Sequence, residues 1–224
     1  MKITFISDTH NKHNHLTSNA YGNILGSGDV LVHAGDSTSM GKSHEITNFL
    51  NWLSMTDFKH KIFIAGNHDF GFETHTEIAE EFKERGIIYL FDSEVVIDGV
   101  KFYGSPWQPE FYNWAFNLPR GEKLVEKWAK IPGDTDILIT HGPAYGMLDW
   151  TPSGQRVGCE DLFHRIMEVQ PKIHVCGHIH CSYGQKNFNG VEFLNASVLN
   201  ERYEYENKPI VVDFDTETKQ IDYP

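Results

Sequence analysis

The sequence contains little cysteine, with only three such residues in 224. Cys159, Cys176 and Cys181 are odd in number and lack the paired spacing of a disulfide framework or a structural zinc site. We therefore expect reduced thiols. Cys181 directly follows a histidine motif, so a ligand role for its thiol is a second interpretation. This usage excludes the disulfide-rich secreted class.

Long apolar runs are also absent. No stretch approaches the length that a helix needs to cross a bilayer. Residues 1–8 carry one cation and an apolar run that is too short for a signal peptide. We expect a cytoplasmic protein that has no membrane partner.

Positive charge is scarce, because 19 Lys and Arg residues face 31 Asp and Glu residues, for a net charge of -12. Without a basic stripe, binding to nucleic acid or to an anionic membrane surface is disfavoured. Two bound divalent cations would offset roughly four negative charges locally, so an anionic substrate stays compatible with this balance.

The rest of the composition is ordinary for a globular protein, with 40% hydrophobic and 22% charged residues. The chain contains no internal repeat, low-complexity tract or interdomain linker. We therefore predict one domain that spans residues 1–224. The sequence carries no signal for an oligomeric state.

Short β-branched or aromatic runs are each followed by His, Asp or Asn, either at once or after one glycine, which is typical of buried strands that end at a functional edge. The runs are Ile3 to Ser7, Val30 to Ala34, Lys61 to Ala65, Ile137 to Thr140 and Ile173 to Cys176. Ligands bind at the carboxyl ends of strands in open α/β sheets. The pattern predicts that these strand ends meet at one site.

Helical patterns separate most of these strands, as βα units require. We predict helices around Ile46 to Leu53, from the capping box Thr74-His75-Thr76-Glu77 to Gly86, over Glu122 to Lys130, and over Cys159 to Met167. Short strands Ile87 to Phe91, Glu94 to Ile97 and Val100 to Ser105 are expected in a second sheet region, and Pro209 to Phe214 in a closing strand. Asp98-Gly99 and Asn189-Gly190 predict hairpin turns.

The strand ends supply carboxylate, amide and imidazole groups but no thiolate. The candidate ligands are Asp8, His10, Asp36, Asn67, His141, His178 and His180. Such a set suits two divalent ions such as Mn, Fe, Zn or Co better than a structural zinc, and we take Mn as the first candidate.

Spacing supports this interpretation. Residues two apart on an extended stretch face the same side, so Asp8 with His10, and His178 with His180, are expected to converge. Asp36 is the expected bridge between two ions about 3.5–4 Å apart, which polarise a phosphoryl group and make hydroxide available near neutral pH. His68 is the natural proton donor for the departing oxygen.

Any single His or Asp in a loop is commonly a solvated residue, and only the joint pattern points to a site. The remaining histidines lack that context. We predict surface or loop positions for His13, His15, His44, His60, His75 and His164, and core or flanking positions within strands for His33 and His174. The aromatic segment 106–120 fits either a satellite core or a rim over the site.

The ordered motifs Asp8-x-His10, Gly35-Asp36, Gly66-Asn67-His68-Asp69, His141 and Gly177-His178-x-His180 resemble those of the calcineurin-like metallophosphoesterases. The resemblance implies an α/β fold, namely a four-layer αββα sandwich with two mixed β-sheets. It also implies one metal on Asp8, His10, Asp36 and His180, and another on Asp36, Asn67, His141 and His178. His68 and Asn67 would be the catalytic residues, with His68 as the acid.

A narrower resemblance lies in Tyr103 to Pro109, Trp114 to Gly121, Thr140-His141-Gly142-Pro143 and Asn195-Ala196-Ser197. These segments are similar to the metallophosphoesterase-domain proteins first described in brain. The resemblance implies a phosphodiesterase that acts on nucleotides, with cyclic nucleotides as the substrates usually proposed. Some vertebrate members carry Gly at the position of His178, whose presence here implies a competent centre.

The chain departs from the protein phosphatases of that superfamily at Gly35-Asp36-Ser37-Thr38, which lacks their further Asp and Arg. We therefore do not assume that an aspartate of this loop orients His68 in a His/Asp dyad. Asp69 is the substitute candidate for that role.

Two functions follow from these residues. The first is a metal-dependent phosphodiesterase that uses a metal-bridging hydroxide on a small phosphoester, with nucleic acid disfavoured as a substrate by the negative charge of the chain. The second is a catalytically weak nucleotide-binding or scaffold protein that retains the metal centre. Turnover of a chromogenic diester distinguishes the two.

Overall fold

The computed structural model describes residues 1–74 and 78–224. The α-helices are α1 Asn14–Thr17, α2 Ser43–Ser54, α3 Phe70–Thr74, α4 Ile78–Glu84, α5 Glu122–Trp128 and α6 Glu160–Val169. The strands are β1 Lys2–Ile6, β2 Gly28–Ala34, β3 Phe58–Ile64, β4 Ile87–Tyr89, β5 Ser93–Ile97, β6 Val100–Ser105, β7 Gln108–Pro109, β8 Asn117–Leu118, β9 Ile137–Thr140, β10 Ile173–Cys176, β11 Gly184–Phe188, β12 Val191–Asn195, β13 Ile210–Phe214 and β14 Ile221–Asp222. Across these ranges no helix is both long and apolar enough to cross a membrane.

The described residues form two six-stranded sheets and a small β7-β8 ribbon. The first sheet has the order β14-β13-β1-β2-β3-β4, and β1 to β4 run parallel. The second has the order β11-β12-β10-β9-β6-β5, and β12, β10, β9 and β6 run parallel. Antiparallel strands at the edges make both sheets mixed.

Side chains that alternate between the two faces of the central strands explain how the sheets pack. In β2, Val30 and Val32 belong to a core between the two sheets, whereas Leu31 faces the opposite way. Successive side chains of a strand point to opposite faces, so a strand buried on both faces is apolar throughout. The buried parts of the parallel strands are therefore mostly hydrophobic, with His33 in β2 and His174 in β10 as buried polar members.

Helices cover the outer face of each sheet. Phe49 and Leu53 of α2 pack with Leu31 and Phe63 on the outside of the first sheet. On the outside of the second sheet, Trp128 of α5 and the α6 residues pack with the strands. The resulting order is helix, sheet, sheet, helix, which confirms the predicted four-layer αββα class.

Most of the predicted elements are confirmed, including the hairpins at Asp98-Gly99 and Asn189-Gly190. One assignment is wrong: β4 pairs with β3 in the first sheet and does not extend the second. The predicted capping box Thr74-His75-Thr76-Glu77 reaches into residues 75–77, which lie outside the described residues, as does His75.

His13 lies in the turn before α1, so the loop alternative of its prediction is confirmed and the surface alternative is wrong. His33 and His174 are buried as expected, but His13 is fully buried as well, packed against Phe49 and Trp52. Neither ring nitrogen of His13 has a hydrogen-bond partner among the described residues. Burial lowers the pKa of His13 to about 4 and that of His174 to about 3.

These buried histidines make the fold sensitive to acid. Their pKa values are lower in the folded chain than in the unfolded chain, so below pH 6.5 the unfolded state binds more protons. The free energy of unfolding should then fall by up to about 1.4 kcal/mol per pH unit for each histidine between pH 6.5 and 4. Urea unfolding of the wild type and of His13→Leu measures this. The variant should show a shallower acid slope, and equal slopes would contradict the prediction.

Candidate metal centre

The predicted ligands come from two sheets that meet at one edge. Asp8 and His10 follow β1, Asp36 follows β2, and Asn67 follows β3, all in the first sheet. His141 follows β9, and His178 and His180 follow β10, in the second sheet. The Ser7 to Ser197 bridge joins chain segments beside this edge. The structure thus brings all seven residues together, although their role as ligands stays a prediction.

The first cluster contains Asp8, His10 and His180, whose candidate ligand atoms lie within 4.8 Å of one another. Asp8 Oδ1 is 3.4 Å from His180 Nε2 and 3.9 Å from His10 Nε2. The two imidazole Nε2 atoms are 3.4 Å apart. All three residues are buried.

The second cluster contains Asp36, His141 and His178. Asp36 Oδ2 is 3.3 Å from His141 Nε2. Asn67 Oδ1 is 3.0 Å from the same imidazole nitrogen, which places the amide oxygen beside this cluster. Nδ1 of His141 donates to the carbonyl of Ala34 at 2.9 Å, so Nε2 is left facing the carboxylate.

Asp36 also belongs to a third group, with His10 and His68. Its Oδ2 is 3.7 Å from His10 Nε2, and its Oδ1 accepts from the backbone N–H of His68 at 2.8 Å. Asp36 therefore lies between the two ligand clusters, as a bridging carboxylate must. His68, predicted to be free of metal, is within reach of a ligand position, so its role requires a direct test.

The route by which these side chains converge differs from the prediction. Asp8, His10, Asp36 and His178 all have positive φ angles, of 56°, 41°, 56° and 67°. They therefore lie in turns of left-handed backbone and not on extended stretches with a two-residue repeat. His178 and His180 accordingly enter different clusters. Residues held in this region of φ and ψ are concentrated at functional sites.

Two glycines make the close packing possible. Gly35 has φ +98°, and a Cβ there would lie 2.5 Å from Nδ1 of His141. A Cβ on Gly66 would clash with Asp36 Oδ1. Gly35 thus needs both the left-handed backbone and the absence of a side chain, whereas Gly66 needs only the absence of a side chain. The Gly-Asp and Gly-Asn dipeptides are thus part of the construction of the site.

The buried carboxylates are compensated by imidazoles. Burial by itself raises the pKa of Asp8, but His180, His141 and His10 together outweigh it and hold that pKa well below its ordinary value. The same balance lowers the pKa of Asp36, through His141. Conversely, burial by itself lowers the pKa of His141 and of His180. Asp36 acts mainly on His141 and Asp8 mainly on His180, and the pKa of each histidine is raised to about 9.

The pKa values of His10 and His178 are shifted the other way. Burial lowers the pKa of His10 to about 4 and that of His178 to about 3. The site therefore offers anionic oxygens beside ring nitrogens, and a metal ion bound there would displace the protons of His141 and His180. This oxygen and nitrogen donor set, without thiolate, fits divalent transition metals.

His68 is oriented by the backbone and not by a carboxylate. Its Nδ1 is 2.8 Å from the carbonyl of Ser39, which can only accept, so Nδ1 carries the proton and Nε2 faces the site. The Trp114 ring packs at 4.2 Å from the imidazole. The prediction that Asp69 takes the place of a dyad partner of His68 is wrong. The carbonyl of Ser39 already accepts a hydrogen bond from the ring nitrogen that such a partner would bind.

Asp69 instead ties two loops together. Its buried carboxylate accepts from the backbone N–H groups of Ser37, Thr38 and Gly66 at 2.9 to 3.2 Å. The hydroxyls of Ser37 and Thr38 donate to it as well. Burial, with the charge of Asp36, raises the pKa of Asp69 to about 6. The carboxylate thus holds the chain segment that presents Ser39 to His68.

Removing this carboxylate should destabilise the fold. We expect Asp69→Ala to lower the free energy of unfolding by roughly 3 kcal/mol or more, because several buried N–H groups lose their acceptor. Urea unfolding measures the change, with Asp57→Ala, at an exposed position, as the matched control. A loss no larger than that of the control would show that water replaces the carboxylate.

Sequence reasoning missed several residues of the site. Ser197 Oγ donates to Asp8 Oδ2 at 2.6 Å, and Asn195 accepts from the Ser197 N–H at 3.1 Å. The Asn-Ala-Ser motif carried that signal. Tyr203 packs at 4.9 Å from His10, and together with Glu201 it lines the cavity over the clusters. No pattern in the sequence marks these last two residues, which lie outside the strand ends.

The aromatic segment 106–120 serves both predicted purposes. Phe116 is fully buried in the core outside the first sheet. Phe111 and Trp114 instead line the cavity over the clusters, and Phe111 packs at 5.0 Å from His178. Tyr112 is 89% exposed. Cys181 is exposed and outside every candidate ligand cluster of the described residues, so the structure does not favour it as a ligand.

The chain belongs to the calcineurin-like phosphoesterase family, whose sequence profile matches residues 1–182. Metallophosphoesterase domain-containing protein 1 of Homo sapiens is 42% identical over 239 residues, which cover 96% of this chain and 71% of that protein. Membership of the family implies divalent metal ions and hydrolysis of phosphoesters.

Solved structures support the fold. The protein TT1561 of Thermus thermophilus aligns with a TM-score of 0.63 at 15% identity, covering 100% of this chain and 97% of that one. The phosphopantetheinyl hydrolase PptH from Mycobacterium tuberculosis aligns with a TM-score of 0.57 at 17% identity, covering 90% of both chains. At such identities the likeness concerns the architecture alone.

Proposed function

We propose that this protein is a phosphodiesterase that acts on nucleotide or cyclic-nucleotide substrates and depends on two divalent metal ions, with Mn as the first candidate. The observation that carries the proposal is the position of Asp36, whose carboxylate lies between a cluster with His141 and a group with His10. One metal is proposed on Asp8, His10, Asp36 and His180, and the other on Asp36, Asn67, His141 and His178.

Divalent ions bound there would polarise a phosphoryl group and lower the pKa of water at the centre. The protein residues have separate tasks. Asp8 is fixed by the Ser197 hydroxyl and by the backbone N–H of His178 at 3.0 Å, so its oxygens are oriented before any ion binds. Such outer partners orient the groups that bind a metal.

His68 is proposed as the acid that protonates the leaving oxygen. With Nδ1 held by Ser39, its Nε2 is the atom that can carry a proton toward the cavity. The imidazole lines that cavity beside His10 and Trp114. General acid catalysis needs a donor within hydrogen-bond reach of the leaving oxygen. Asn67 is proposed to position substrate as well as metal.

The proposal is tested by elemental analysis of the purified protein, coupled to hydrolysis of a chromogenic phosphodiester and of the corresponding monoester. Both are assayed with and without added Mn. About two metals per chain, with diester turnover that Asn67→Ala or His178→Ala abolishes, is the expected result. Loading the metal-free protein with Mn, Fe, Zn or Co in parallel ranks the metals.

Other outcomes would overturn the proposal. Two metals without turnover of either ester would favour the nucleotide-binding or scaffold function, and a protein that binds no metal would contradict both. Preferential monoester turnover would replace the phosphodiesterase assignment. Binding of single-stranded DNA with a steep salt dependence would favour a nuclease, against the net charge of -12.

We further propose a single domain and a cytoplasmic location. Support for one domain comes from the shared core, in which Phe5 of the first sheet packs with Phe102 of the second. The three free cysteines are compatible with a reducing compartment.

A further inference from the structure

A second cavity lies next to the metal centre and differs from it in character. It has a volume of about 390 Å³, against about 230 Å³ for the cavity over the clusters. The two share Phe111, His178 and Glu201 in their walls. They are therefore adjacent compartments that one elongated ligand can occupy.

The walls of the second cavity are mostly apolar. The apolar contributors are Pro109, Phe111, Pro143, Pro152, Val157 and Ile179. The polar part of the wall comes from Gln108, Glu110, Arg120, Thr151, His178 and Glu201. A volume of this size with a mainly apolar surface is typical of sites for small organic ligands. Proline rings and the Phe111 ring provide flat surfaces, against which aromatic groups pack favourably.

Phe111 is held in place before any ligand arrives. Asn117 Nδ2 donates to the carbonyl of Phe111 at 2.9 Å, and Gln108 Nε2 donates to Asn117 Oδ1 at 3.2 Å. The N–H of Ala115 donates to the carbonyl of Asn67 at 3.2 Å, which joins this segment to the metal-centre loop. Little order is then lost on binding, because the wall is already formed.

The opposite wall is fixed in the same way. The Arg120 guanidinium donates to the carbonyls of Val157 and Gly158, each at 2.8 Å. The arginine thereby positions Val157 with two of its five N–H donors, and it keeps its positive charge. Glu110 and Glu201, also in the lining, outnumber this one cation, so the wall would repel a second anionic group. The cavity therefore suits an uncharged group.

We propose that this cavity is the subsite for an uncharged planar aromatic group on the phosphoester, so that the substrate extends from the metal centre past His178 and Phe111. The inference rests on the proposed function, since it places the phosphoryl group at the metal centre. A nucleobase and a simple aryl ring share the required chemistry. Esters with a small alkyl group, and those with a second phosphate, would use the site less well.

The test measures binding to the Mn-loaded protein by calorimetry, with methyl phosphate, phenyl phosphate and adenosine monophosphate as probes. Burying a ring of this size should tighten binding about 10- to 100-fold relative to methyl phosphate. Comparing the affinities of phenyl phosphate and adenosine monophosphate shows whether a simple ring suffices or a nucleobase is preferred.

Two variants locate the effect. Val157→Glu introduces a charge into the cavity and should reduce the ratio of phenyl to methyl phosphate affinity to near one. Phe111→Ala should reduce the same ratio several-fold without adding charge. Val125→Glu, at a half-exposed position on α5 outside this cavity, is the matched control and should keep the wild-type ratio. Metal content is measured for each variant.

Equal affinities of methyl and phenyl phosphate in the wild type would overturn the subsite, as would variants that leave the ratio unchanged. Failure of all three probes to bind would overturn it too. Diester turnover by the same preparation is scored separately. Turnover with equal affinities contradicts only the subsite, whereas ring-dependent binding without turnover contradicts only the proposed hydrolysis.

Discussion

His68→Ala should lower kcat by about 10²- to 10⁴-fold while the protein keeps its metal content, as expected when a general acid is lost. The backbone carbonyl of Ser39 fixes the imidazole so that Nε2 faces the cavity. The decrease should be largest for diesters whose leaving oxygen is strongly basic, because those depend most on protonation. Steady-state kinetics over a series of aryl and alkyl leaving groups, with elemental analysis, measures both effects.

The control for this variant is His164→Ala, which removes an exposed histidine from α6. It should leave kcat and metal content at wild-type values. His68 also lies in a candidate ligand group with His10 and Asp36. If His68→Ala loses metal in proportion to activity, the residue is a ligand and the assignment as acid is wrong.

Asp36→Ala should also have a large effect, because this carboxylate lies between the clusters. We expect loss of most bound metal and a decrease in kcat/KM on the order of 10³-fold or more, equivalent to several kcal/mol of transition-state stabilisation. The variant also removes the acceptor for the His68 N–H, at 2.8 Å from Asp36 Oδ1. Elemental analysis and diester hydrolysis at saturating Mn are the measurements.

Asp57→Ala is the matched control for charge, since Asp57 is exposed and lies apart from the ligand motifs along the chain. It should retain metal and turnover. A variant of Asp36 that loses one metal but keeps wild-type turnover would contradict a bridging role. Circular dichroism of both variants separates loss of metal from loss of fold.

The fold could be predicted because its signals are local and strong. Runs such as Val30 to Ala34 carry apolar residues on both faces, with His33 as the polar member, which is typical of a buried parallel strand, and Asp36 follows after one glycine. The convergence of the strand ends is then a consequence of sheet geometry. The sheet to which β4 belongs could not be predicted, because a three-residue strand carries no signal for its partner.

The finer details of the site depend on contacts between distant segments. Ser39 binds His68 through its backbone carbonyl, and Tyr203 packs on His10 from a loop. Neither contact follows from the type of residue at that position. The left-handed backbone at His178 could not be read from a sequence in which histidine is compatible with extended structure. The burial of His13 against Phe49 is likewise a tertiary contact that no local pattern indicates.

The division of the ligands between two sheets links metal binding to unfolding. Asp8 and Asp36 belong to one sheet, whereas His141 and His180 belong to the other, so an ion on these groups cross-links the layers. Ligation present only in the native state adds RT ln(1 + [L]/Kd) to stability, about 2.7 kcal/mol at a hundredfold excess over Kd. A chelator should therefore lower the melting temperature and speed amide hydrogen exchange in β1 and β10. Exchange that is unchanged by chelation would show that the sheets hold together at this edge without the ions.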